Sequence, residues 1–112
     1  MEEIIMNIIL NAGDARSKSL VALKRARQGE FAEAKKLLKE AGESVTLAHR
    51  SQTELIQKEV SGEKQEVSLL MVHAQDHLMT ALAIKDMVTE LVDYAEELNS
   101  MVIKGKEELV NE

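Results

Sequence analysis

The polar string His73-Ala74-Gln75-Asp76-His77 interrupts the most apolar stretch of the chain. His73 and His77 are four apart and Asp76 follows His73 by three, so on a helix they are neighbours on one face. The helical neighbours of Asp76 are Leu69, Val72, Met79, Thr80 and Ala83. A carboxylate in so apolar a setting needs a cation, a hydrogen-bond donor or a proton. A buried Asp paired with His would be satisfied without any function, so spacing alone leaves a structural pairing open beside two chemistries.

The first chemistry is hydrolytic zinc. His-x-x-Asp-His has the outline of the His-x-x-Glu-His pattern of inverted zinc peptidases. Those enzymes need Glu as general base, a third protein ligand and a substrate cleft. Here Asp stands where Glu is required, and His49 is the only other histidine. The second chemistry is phosphoryl transfer. Neutral imidazole is a good nucleophile near neutral pH because its pKa is about 6.5. The bond it forms to phosphorus is labile, so the group can be passed on. Such transfer needs mainly positioning and charge stabilisation. A helix can fix the ring of His73, and Gln75 or His77 can offer hydrogen bonds to phosphate oxygens. No large cleft is needed if a partner protein supplies the other half of the site.

Composition narrows the setting. A chain of 112 residues makes one domain, expected here over residues 1–112. Phe31 and Tyr94 are the only aromatic residues, so the core must be built from Leu, Ile, Val, Ala and Met. The absence of cysteine excludes disulfides, thiolate metal sites and any group carried on sulfur. A net charge of −6 argues against nucleic acid as a partner, because such binding needs a basic surface to displace counterions. No apolar run approaches the ~18 residues of a membrane span. Met1-Glu2-Glu3 is acidic where a signal peptide has a basic start. These features predict a soluble, cytoplasmic protein.

Three helices must position the cluster, over about residues 2–27, 30–60 and 66–103. In the first, Ile5, Ile8, Ala12, Ala15, Ser19, Ala22 and Ala26 recur at three and four. Gly13 within this pattern marks a kink or a close helix contact, and Gly29 suits a helix end. In the second, Phe31, Ala34, Leu38, Ala41, Val45, Ala48, Gln52 and Leu55 form one stripe, with Gly42 a point of bending. Ser61-Gly62-Glu63 is the second break. The third helix carries a heptad-like seam: Leu70, His73, His77, Thr80, Ile84, Met87, Leu91, Tyr94, Leu98 and Met101. A second stripe lies beside it: Val67, Met71, Ala74, Leu78, Ala81, Val88, Val92 and Ala95. A third, shorter patch adds Leu69, Val72, Met79 and Ala83. Two partner helices cannot cover all of this surface, so part of it is expected to face other subunits. The charged tail after Gly105 is expected to fray. Short breaks imply antiparallel neighbours. The fold class is thus all-α, an antiparallel up-down-up three-helix bundle that oligomerises through its third helix.

Ser68-Leu69-Leu70-Met71-Val72-His73-Ala74-Gln75-Asp76-His77-Leu78-Met79-Thr80-Ala81 resembles the active-site helix of the IIA components of lactose/cellobiose-class sugar phosphotransferase systems. Gly13-Asp14-Ala15-Arg16-Ser17, Gly29-Glu30-Phe31 with Ala34, Ala48-His49, Gln52-Thr53 and Gly62-Glu63 agree in the same order. The resemblance therefore spans nearly the whole chain. It implies a homotrimer whose subunits form a nine-helix bundle. It implies that the phosphocarrier HPr phosphorylates His73, on its tele nitrogen, and that His73 phosphorylates a cysteine of the IIB component. The IIB component in turn serves the IIC membrane permease. Gln75 and His77 are then supporting residues. The aspartate three residues after the active histidine lies at the trimer interface in this family, so Asp76 copies are expected to share a divalent cation, Mg2+ in a cell. His49 is expected to pack or cap, and Asp14 and Arg16 are expected to pair locally outside the site. The Val-His-Ala-Gln form looks more like cellobiose and diacetylchitobiose members than lactose members, although lactose remains the alternative. The sugar itself is selected by IIC and not touched by IIA. A non-catalytic helical interaction module is the other competitor, since Gly29–Ala34 resembles part of a tetratricopeptide repeat. No second copy of that stretch is present, and such repeats need several.

Overall fold

The computed structural model describes residues 2–111; Met1 and Glu112, the ends of the expected domain, lie outside the described residues. It contains three helices, α1 (Glu2–Arg27), α2 (Phe31–Val60) and α3 (Leu69–Val110), and no strand among the described residues. The first two end where the glycines predict. Gly29 has φ +79° and Gly62 φ +97°, a left-handed conformation that side chains with a Cβ adopt at a cost. At each, two backbone bonds close the helix end: Glu30 N–H donates to the Arg25 carbonyl and Gly29 N–H to that of Ala26. Glu63 and Gly62 repeat the pattern onto Lys58 and Glu59. Both are Schellman motifs, which satisfy carbonyls that the helix leaves unpaired.

The third helix starts later and ends later than its periodicity suggests. The Ser68 hydroxyl accepts the Met71 N–H at 3.1 Å, so Ser68 is the N-cap and α3 begins at Leu69. Glu66 and Val67, expected within the helix, belong instead to the connection. At the other end the helix runs on to Val110, so the charged tail after Gly105 does not fray but stays helical. Its Glu and Lys residues are good helix formers, and one glycine costs only about 1 kcal/mol.

The core follows the predicted stripes. Ile5, Ile8, Ala12 and Ala15 of α1 meet Ala41, Val45, Ala48 and Leu55 of α2 and Ala74, Leu78 and Ala81 of α3. Towards the α1–α2 turn, Ala22 and Ala26 meet Ala34, Leu38, Val88 and Val92, with Phe31 packed against them. The register shows that α1 and α3 run parallel and α2 runs against both. Alanines and Ser19 on α1, and alanines every seven residues on α2, allow the two backbones to approach closely. Building a Cβ onto Gly13 meets nothing within 4 Å, so the close contact expected there is absent from the subunit.

Of the two stripes on α3, Ala74, Leu78, Ala81, Val88 and Val92 face inward and are buried. The heptad seam does not. Met87 is 66% exposed, Tyr94 59% and Met101 69%, and Leu70, Leu91 and Leu98 are exposed beside them. One subunit therefore leaves an apolar face running most of the length of α3, the kind of surface that marks an interaction site.

Polar bonds tie the helices at intervals. Lys35 of α2 pairs with Glu96 of α3 at 2.6 Å. The Ser44 hydroxyl of α2 donates to Asp14 Oδ2 of α1 at 2.6 Å, and Lys18 Nζ lies 3.0 Å from the same oxygen. The Ser44 bond holds the Asp14 carboxyl below the usual carboxylate range, against the opposing effect of burial, and Lys18 adds to the lowering. A depressed folded-state pKa stabilises the fold at pH values above the unfolded value of about 3.9. That contribution fades as pH falls through the folded value. Ser44→Ala is therefore expected to cost about 1–2 kcal/mol at pH 7. The gap from wild type should be smaller at pH 3, below the unfolded value, than at pH 7. Urea unfolding at the two pH values, at one protein concentration, reads both; a gap that persists in acid would assign the loss to packing instead.

Candidate functional site

The middle of α3 is fixed from within. Ala74, Leu78 and Ala81 are buried against α1 and α2, and the Gln52 amide of α2 donates to Gln75 Oε1 at 2.6 Å. These anchors leave the flank of α3 towards α1 uncovered. There the His73 and His77 rings meet edge to face, with centroids 4.6 Å apart and planes at 81°. His73 is exposed and His77 half-buried. An edge-to-face contact of this kind restrains the orientation of the His73 ring.

Both histidines open onto a hollow of about 120 Å³ lined by Arg16, His73, Asp76, His77 and Thr80. Larger hollows of about 560 and 620 Å³ lie around Phe31 at the other end of the bundle. Their linings contain no histidine and no other group with comparable nucleophilic chemistry. Of these three hollows, the small one is lined by imidazoles, and its volume is too small to enclose a disaccharide.

The expected residues divide. His73, Asp76 and His77 come together as their spacing predicts. Gln75 does not line the hollow; its amide oxygen is taken by Gln52 on the flank towards α2. Asp76 is exposed in the subunit rather than buried, because its apolar helical neighbours Leu69, Val72 and Met79 are themselves uncovered. His49 is exposed in mid-helix, so it neither packs nor caps as expected. Asp14 pairs locally as anticipated, with Lys18 and Ser44. Arg16 instead turns to the hollow and brings its one cation. Thr80 is the other lining residue that the site reading missed, although the seam already placed it one turn beyond Asp76.

A metal ion shared by Asp76 is limited by what one chain offers. Among the described residues no three His, Cys, Asp or Glu side chains gather as a ligand set. One subunit supplies a single exposed carboxylate, so the residues fit a hard cation only where copies of Asp76 meet.

The site is thus an exposed imidazole in a small polar hollow on an all-helical wall. The chain belongs to the lactose/cellobiose-specific IIA subunits of the sugar phosphotransferase system, whose family model matches residues 3–96. It is 50% identical over 98 residues to a lichenan-specific phosphotransferase enzyme IIA component of Bacillus subtilis, covering 88% of this chain and 89% of that protein. Among solved structures, a cellobiose-specific enzyme IIA from Bacillus anthracis matches with a TM-score of 0.85 and 46% identity, over 88% of this chain and 91% of that one. The IIA(chitobiose) chain of an Escherichia coli IIA–HPr complex matches with a TM-score of 0.76 and 43% identity, over 88% and 95%. Among the described residues, no helix is long and apolar enough to cross a membrane.

Proposed function

We propose that this IIA subunit carries a phosphoryl group on His73, from phospho-HPr to a cysteine of a cognate IIB component, in the cytoplasm. The observation that carries this reading is the exposed His73 ring, braced by His77 above a hollow that admits a phosphoryl group but no sugar. The neutral ring attacks with the lone pair of its tele nitrogen. The bond from phosphorus to the donor imidazole breaks, and its electron pair returns to the donor ring. Each ring keeps the proton on its other nitrogen. The second transfer reverses the roles: His73 is the leaving group and a thiolate the nucleophile. Positioning and charge neutralisation supply the catalysis. Asp76, His77 and Thr80 border the reacting group, and Gln75 acts at one remove by locking α3 to α2.

The names of the relatives favour a β-linked glucan fragment or chitin fragment, such as cellobiose or diacetylchitobiose, as the sugar taken up by the linked IIC permease. The test is transfer itself. The protein, phosphoenolpyruvate, the general phosphotransferase enzyme and HPr should together give acid-labile, base-stable phosphate on this chain. Absence of label would leave a helical interaction module.

The subunits assemble as a homotrimer through the uncovered seam of α3, a nine-helix bundle with Asp76 copies facing one another. Three carboxylates near one axis repel, and Mg2+ with oxygen ligands neutralises them. Its contribution is charge neutralisation at the interface, apart from the transfer steps. Asp76→Leu is therefore expected to keep or raise the thermal stability of the trimer and to abolish its dependence on Mg2+. Wild-type melting that is indifferent to a chelator would count against the ion.

A further inference from the structure

We infer that Arg16 is a catalytic residue of the transfer, a cation from α1 that holds the phosphoryl oxygens while the group arrives at and leaves His73. This inference rests on His73 being the acceptor. Four of the five residues around the hollow come from α3; Arg16 alone comes from another helix. The packing that places it is direct. Ala12 and Ala15 of α1 are buried in the same cluster as Ala74 and Leu78 of α3, so the residue after Ala15 emerges at the border of the two helices, beside His73.

Charge makes the case. A phosphoryl group on His73 brings up to two negative charges to a site that already holds Asp76. His73, His77 and Thr80 supply no permanent positive charge to offset them. Arg16 is the one lining group that is cationic at every physiological pH. Its planar fork can donate two hydrogen bonds to two phosphate oxygens. Among the described residues no ion pair involves Arg16, and Asp14, the acidic residue nearest in sequence, is engaged by Lys18 and Ser44. The guanidinium is thus exposed and at the edge of the nucleophile. In the transfer step the phosphorus moves from the donor nitrogen to His73 while its three oxygens stay within reach of the same fork, so the cation stabilises the group throughout.

The test uses Arg16→Gln and Arg16→Lys in the full chain with stoichiometric phospho-HPr. Removing one oxyanion donor from an enclosed site typically costs 10²–10³ in rate; this hollow is open to water, so Arg16→Gln is expected to slow acceptance at His73 by about tenfold to a hundredfold. The loss should fall on kcat with little change in KM for phospho-HPr. Arg16→Lys should lie between, because it keeps the charge but not the fork. The 31P resonance of the phosphohistidine should shift in Arg16→Gln, and melting of the exposed-site variants should match wild type. Acceptance at the wild-type rate, or a raised KM with unchanged kcat, would overturn the inference; the latter assigns Arg16 to docking of the donor. Failure of the wild-type chain itself to take label at His73 would instead overturn the proposed function.

Discussion

A chain carrying His73→Gln is expected to take up no phosphoryl group from phospho-HPr, and one carrying His77→Gln to take it up at a reduced rate. The difference follows from what each ring does. Glutamine keeps polarity at position 73 but has no lone pair basic enough to attack phosphorus, so the loss should be complete within detection. At position 77 the edge-to-face contact with His73 disappears, and the nucleophile's ring samples more orientations. An aromatic contact of this kind is worth about 0.5–1.5 kcal/mol, which sets the expected slowing at a few-fold to about tenfold. Quantitative labelling followed by acid and base treatment separates the two variants. Label on the His73→Gln chain would move the acceptor elsewhere.

The second large effect concerns assembly. Leu91→Glu is expected to convert the proposed trimer to single chains in sedimentation velocity. Leu91 lies in the middle of the uncovered α3 seam, between Met87 and Tyr94. Around a threefold axis a single substitution places three carboxylates in an apolar interface, and each buried charge without a partner costs several kcal/mol. Leu91 is 46% exposed and lies outside the buried cluster that holds Val88 and Val92, so helicity should survive. A wild-type protein that sediments as one chain would refute trimerisation, and an unaltered mass for the variant would place the interface elsewhere.

Much of this was legible in the residues. The alternation of three and four on α3 separates two stripes, and the structure buries one and leaves the other bare. Gly29 and Gly62 announce helix ends because only their conformational freedom makes the left-handed closures easy. The start of α3 was harder to read, because Val67 continues an apolar stripe while Ser68 offers a cap, and the local hydrogen bond to Met71 prevailed over the periodicity. His73, Asp76 and His77 share a face by spacing alone. Arg16 could not be found that way: its proximity arises from the parallel packing of α1 on α3, which no local pattern encodes. Its place immediately after a buried alanine was the one available signal. Gln75 lies only two residues after His73 in the chain yet points to another helix, since two helical steps turn by about 200°.

The length of α3 has a practical consequence. Val110 lies thirty-seven residues beyond His73 on one continuous helix, a span of about 55 Å at 1.5 Å per residue. A fluorophore or surface tether attached near Asn111 would therefore stand well away from the imidazole. That rod is a built-in handle by which arriving and departing relay proteins could be watched on an immobilised carrier without crowding its reactive end.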